Sequence, residues 1–340
     1  TKAKVLTKKA EKKSFAESLL SLKMTTAISE DLEKQAKEDN LFSLGGKKSY
    51  LPELGTKIWS SSEESSFDAY IYLNSEKELI GYIRIPSYGA GEKESKEFKE
   101  IIKKFLKTTD KLVIDQLNNP GGSVFYLYSL VSVLTDKPLA APKHYMAINQ
   151  AEIIEAIDKL KELEEIKTMD DLKKVMDNEE TISGYPLSMT FLEFMKSYYQ
   201  FKIDEWNKGK KLTSPYFIYG VDKINPDPKV QYTKPILLLV NELDFSGGDF
   251  FPAIMQDNKR ATIMGIRTAG AGGYVLSQDI PNQLGVGTFN YTGSLADRVD
   301  HTPIENLGVA PEIDYSLTPK DFQNEFSDFK DRINEVLKTL

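Results

Sequence analysis

Five consecutive apolar residues, Ile236 to Val240, run into Asn241-Glu242-Leu243-Asp244-Phe245-Ser246-Gly247-Gly248-Asp249, and an apolar helical stretch opens at Phe250. The apolar pentad reads as a buried strand. The order strand, glycine-bearing turn, helix is a building unit of α/β folds. It occurs twice: Leu112-Val113-Ile114 leads into Asn118-Asn119-Pro120-Gly121-Gly122, and a helix is expected over roughly 123–134. Upstream, Phe67 to Leu73 and Leu79 to Ile85 read as a hairpin whose second strand Pro86 stops. Phe98, Ile101, Ile102, Phe105 and Leu106 then mark a helix with a 3.6-residue period. An α/β domain is the fold this pattern predicts.

Other segments have their own character. Residues 1–13 hold six lysines against Glu11, and the chain stays polar to about residue 50, so 1–45 reads as a basic, poorly ordered linker and 46–340 as the folded domain. Residues 146–215 read as a helical insertion, with Ile153, Ile154, Ile157 and Leu160 on one face and Phe191, Phe194, Met195, Tyr198 and Tyr199 on another. After Pro319, one amphipathic helix is expected through Phe322, Phe326, Phe329, Ile333, Val336 and Leu337. The chain begins at Thr1 rather than methionine, which suggests a fragment or a processed chain.

Composition removes several classes of function. A net charge of −7 argues against a nucleic-acid footprint, and no apolar run reaches membrane-spanning length. With no cysteine there is no disulfide, no thiolate nucleophile and no cysteine zinc site. The two histidines, His144 and His301, are not at i, i+4 spacing, so a histidine metal site is not expected. Neither GxxxxGK[ST] nor GxGxxG is present, and no cofactor is implied.

A serine between a strand end and a helix start holds its hydroxyl near free backbone N–H groups and the positive end of a helix dipole. Ser246 therefore fits a nucleophile, and equally an ordinary helix cap. If the two glycine turns face each other, the N–H of Gly247 and one from Gly121 or Gly122 would clasp an oxyanion; otherwise the glycines serve turn geometry. A serine nucleophile needs a base. His144 reads as structural, and His301 lies in a proline-containing segment four residues before Glu305. Glu305, in a turn-prone stretch, is suited to orienting an imidazole or simply to solvation.

Asp115-Gln116-Leu117-Asn118-Asn119-Pro120-Gly121-Gly122 resembles the D-x-R-N-N-P-G-G element of the tail-specific, C-terminal processing serine proteases. VNELDFSGGDFF followed by QDNKRATIMGIRTAGAGG resembles the nucleophile region of that family. The likeness is closer to one branch, the chlamydial protease-like activity factors, and runs from about Tyr50 to the C-terminus through FDAYIY, IGYIRIP, GVDKINP and IENLGVAPEID. It implies a ββα-spiral (crotonase/ClpP-like) protease core, Ser246 as nucleophile, Glu305 as the carboxylate that orients a catalytic histidine, and Gly247 as an oxyanion donor near Gly121 and Gly122. Ala271 stands where the wider family has the lysine of TxGKG, so a Ser–Lys dyad is excluded. In the chlamydial branch the base is a histidine in an N-terminal region that this chain does not contain. The resemblance thus implies protein or peptide substrates, an N-terminal segment of the same protein as partner, a homodimer, and secretion by a bacterium into a host cell. A peptide-binding homologue without catalysis is the alternative.

Overall fold

The computed structural model describes residues 24–25, 43–279 and 287–340, so the basic segment 1–45 lies almost wholly outside the described residues. Seven strands form one sheet, and their order across it follows the chain: β1 Thr56–Ser60, β2 Ala69–Leu73, β3 Leu79–Arg84, β4 Lys111–Asp115, β5 Ile236–Val240, β6 Thr262–Gly265 and β7 Ile313–Asp314. The first two pairings are antiparallel and the rest parallel. The hairpin expected from the sequence is the β2–β3 pair. Parallel neighbours need crossovers, and these are α1 Glu92–Thr108 from β3 to β4, α2 Val124–Ser132 on leaving β4, and α6 Gly247–Asp257 from β5 to β6.

Strand alternation then divides the core. Leu112, Ile114, Ile236, Leu238, Val240 and Ile263 pack on one face with Phe98, Ile102 and Phe105 of α1, Leu127 and Leu130 of α2, and Phe250 and Ile254 of α6. Val113, Leu237, Leu239 and Met264 pack on the other, covered by Phe329, Ile333, Val336 and Leu337. That two-sided burial is why β5 reads as an unbroken apolar run. Each such side chain removed from water contributes about 1.5–3 kcal/mol.

The insertion holds three helices, α3 Gln150–Glu165, α4 Met169–Val175 and α5 Met189–Asn207. Phe191, Met195, Tyr198 and Tyr199 of α5 are buried as expected. On α3 the buried stripe is Ile153, Ala156, Lys159 and Leu163, while Ile154 and Ile157 are exposed. Periodicity identifies a helix there but not which stripe meets α5. The C-terminal helix is also not continuous: α7 Pro319–Gln323 and α8 Ser327–Leu337 are separated at Glu325 and Phe326, both with positive φ. Asp321 bridges the break. Its carboxylate accepts the N–H of Thr318 at 2.8 Å and of Phe329 at 3.2 Å, fixing both helix starts to one acceptor.

Candidate active site

Ser246 sits at the carboxyl end of the sheet, between β5 and α6, with φ 54° and ψ −109°. A non-glycine residue held in such a conformation costs on the order of 1–3 kcal/mol, so the surroundings must enforce it. They do so through the backbone. The Ser246 N–H donates to the Ala271 carbonyl and to Asp249 Oδ2, both at 3.1 Å. Its carbonyl accepts from the N–H of Asp249 and of Phe250, both at 2.9 Å. The hydroxyl takes no part: Ser246 is 2% exposed, yet its Oγ has no hydrogen-bond partner among the described residues. An uncommitted buried hydroxyl is unusual in a folded protein, and it sets aside the reading of Ser246 as an ordinary side-chain cap.

The second turn is bonded to the first. Asn119 donates its N–H to Asp244 Oδ1 at 2.9 Å, and its carbonyl accepts the N–H of Phe245 at 2.9 Å. Asn118 donates its N–H to Asn241 Oδ1 at 3.0 Å and accepts from Asn241 Nδ2 at 2.7 Å. Beneath, Asp115 is paired with Arg84 at 3.0 Å and accepts the Tyr82 hydroxyl at 2.7 Å, which anchors the exit from β4.

Gly121, at φ 88°, lies directly against the nucleophile turn. A Cβ on it would sit 2.7 Å from Gly247 N, Phe245 O and Ser246 Cβ, so only glycine fits. The Gly121 N–H is committed to Asn119 Oδ1 at 2.8 Å. Gly122 is the neighbour on the other side: a Cβ on Gly247 would lie 3.3 Å from its nitrogen. The Gly121–Gly122 edge also takes on strands, pairing antiparallel with Met24–Thr25 and, at Gly122, parallel with Tyr88.

Glu305 approaches the same place along the segment 270–273. Asn306 donates its N–H to the Gly270 carbonyl at 2.8 Å, and a Cβ on Gly273 would lie 3.0 Å from Glu305 Oε1. Ser246 meets that segment at Ala271 and Glu305 meets it at Gly273. Neither Glu305 oxygen has a hydrogen-bond partner of good geometry among the described residues; burial raises the carboxyl above its ordinary value, and the backbone N–H groups of Ala296, Glu305 and Gly273 nearby offset part of that rise. The structure therefore brings Ser246, Gly247, Gly121 and Gly122 into contact and places Glu305 at the far end of the segment that Ser246 meets.

It does not bring in either histidine as a base. The His144 ring is enclosed beside Phe250 and Tyr274, its Nδ1 is 3.0 Å from Ser294 Oγ, and burial lowers its pKa to about 3. His301 Nδ1 lies 3.0 Å from Asp297 Oδ2 on the surface. Sequence reasoning overlooked Asp244 and Asp249, both buried on the nucleophile turn. The available signal for Asp249 was an acid three residues into a helix, the spacing of a reciprocal cap. Asp249 also accepts the N–H of Gly270 at 2.8 Å and of Ala271 at 2.9 Å, and burial raises its carboxyl. Among the described residues there is no group of three or more His, Cys, Asp or Glu able to hold a metal ion, and no helix is long and apolar enough to cross a membrane.

A strained serine at the carboxyl end of β5 thus faces a glycine turn at the carboxyl end of the adjacent β4. Residues 79–315 match the model of peptidase family S41, and the chain belongs to that family. Within it the similarity is to CPAF: the structure of mature CPAF complexed with lactacystin superposes with a TM-score of 0.80 at 38% identity, covering 90% of this chain and 61% of that one. A protein of Chlamydia trachomatis is 41% identical over 314 residues, 88% of this chain and 52% of its own length. A Chlamydia pneumoniae protein is 39% identical over 344 residues, covering 96% of this chain and 55% of its own. The chain thus spans about half the length of the curated relatives it matches.

Proposed function

We propose that this chain is the nucleophile-bearing part of a serine endopeptidase, in which Ser246 attacks the peptide carbonyl and Glu305 orients an imidazole supplied by an N-terminal segment of the same protein. The observation that carries the reading is the pair of uncommitted groups at one site, the Ser246 hydroxyl and the Glu305 carboxylate. A buried polar group without a partner costs about 1–3 kcal/mol. Two of them flanking residues 271–273 suit an imidazole that accepts the hydroxyl proton on one nitrogen and donates to the carboxylate from the other.

The remaining parts follow from the turns. As Oγ adds to the carbonyl carbon, negative charge collects on the substrate oxygen, which the N–H groups of Gly247 and Gly122 stabilise at the positive end of α6. The imidazolium returns its proton to the departing amine, leaving an acyl-enzyme on Ser246 that water hydrolyses. An extended peptide would be held as a strand on the Gly121–Gly122 edge in the place of Met24–Thr25, which pairs there in this structure. By likeness to CPAF the proposal extends to secretion by a bacterium and to a homodimer.

The test is hydrolysis of a peptide by the full-length protein. Full-length protein is expected to cleave and to form an acyl-enzyme at Ser246, and Ser246→Ala to abolish both. Peptide binding with no cleavage by either form would instead favour a binding homologue.

A further inference from the structure

We propose that Asp244, acting through Asn119, is the positioning residue that sets the gap between the nucleophile turn and the Gly121–Gly122 turn; this rests on the serine-peptidase reading above. Asp244 is fully buried, and its carboxylate is shared between two elements. Oδ1 accepts the Asn119 N–H at 2.9 Å, across to the exit of β4. Oδ2 accepts the Asn241 N–H at 3.0 Å, within its own turn, and Gln116 Nε2 at 3.0 Å. Gln116 Nε2 also donates to the Gly248 carbonyl at 2.7 Å, reaching the first turn of α6.

Asn119 carries the constraint onward. Its peptide is gripped on both sides by the nucleophile turn, the N–H by Asp244 and the carbonyl by the N–H of Phe245. Its side chain divides the same way: Oδ1 accepts the Gly121 N–H at 2.8 Å, and Nδ2 donates to the Ile85 carbonyl at 2.9 Å. The series Asp244, Asn119, Gly121 thus begins two residues before the nucleophile and returns to its underside. The Gly121 N–H, spent on Asn119, is not one left to face an oxyanion. Preorganised donors act only when held at the right separation, because reorganisation during reaction removes their advantage. A buried carboxylate is an expensive way to join two loops, and here it is satisfied by backbone N–H groups from both strand ends and by a side-chain amide.

The experiment uses the full-length protein and the variants Asn119→Ala and Asp244→Asn. Asn119→Ala removes the side-chain bonds to Gly121 and to the Ile85 carbonyl while keeping both backbone bonds. Asp244→Asn replaces an acceptor-only group with one that turns an NH2 towards an N–H donor. Both are expected to lower kcat about 100-fold with KM within about threefold, and to weaken a peptide aldehyde, which mimics the tetrahedral state, in parallel with kcat/KM. Combined, they should cost far less than the product of their separate effects, as members of one series do. Asn119→Ala with unchanged kcat, or with the loss confined to KM, overturns the proposal even if Asp244→Asn fails to fold. Unmodified protein that forms no acyl-enzyme at Ser246 would instead sink the peptidase reading beneath it.

Discussion

Two carboxylates flank the segment 270–273, and they are built in opposite ways. Asp249 is saturated: it accepts the N–H groups of Ser246, Gly270 and Ala271, and so ties the nucleophile's backbone to the segment beside it. Glu305 meets the far end of that segment with both oxygens unpartnered among the described residues. Burial raises both groups. The difference teaches what each is for. The Asp249 carboxylate is fixed by backbone donors at good geometry and holds a loop in place, whereas the partly buried Glu305 carboxylate, beside backbone N–H groups that make no well-formed bond to it, suits a group that arrives from elsewhere.

The contrast is broken most sharply at Glu305. In the full-length protein, Glu305→Gln is expected to lower kcat roughly 10³–10⁴-fold, about 4–5.5 kcal/mol, because the amide no longer holds the imidazole in the productive tautomer. Steady-state hydrolysis measures this, and a loss under tenfold would show that Glu305 is a bystander. A smaller effect is expected at the saturated partner. Asp249→Asn leaves one acceptor oxygen for three backbone donors and should destabilise the fold by about 1–3 kcal/mol, read by denaturant melts. If Asp249→Asn melts like the unmodified protein, the saturation has no structural value.

The smallest effect has the opposite sign. A raised pKa means that the native state holds the Glu305 proton more tightly than the unfolded chain does. Stability from this group is therefore complete below its ordinary value of 4.5 and is lost as the pH rises through the native-state value. Glu305→Gln removes that loss, so the variant should be slightly more stable at neutral pH while being less active. Melts at pH 4 and pH 7.5 check it: the gain should shrink at the lower pH, and a destabilised variant at pH 7.5 contradicts it.

Much of this was legible in the sequence, for identifiable reasons. The unbroken apolar run Ile236–Val240 is what burial on both faces of a sheet produces, and Ser246 with its paired glycines marks a turn between that strand and a helix. The roles within the turns were not legible. Asp244 and Asp249 look like ordinary turn and first-turn acids until tertiary contacts bury them. Glu305, in a segment that reads as an exposed loop, is partly enclosed where Asn306 is bonded to Gly270, 36 residues earlier, and Ile304 to Ala296. Phe326 fits a helical period well, and only the structure shows the helix broken there, with Asp321 bridging the break.

The central proposal is that Ser246 is the nucleophile, Glu305 orients an imidazole, and neither His144 nor His301 is the base. Labelling of Ser246 by a fluorophosphonate tests it most directly, with this chain alone compared with the full-length protein under identical conditions. Rapid labelling of Ser246 is expected in the full-length protein, and labelling slower by a factor of about 10³ or more in the chain alone although it remains folded. Equal rates in the two would contradict it.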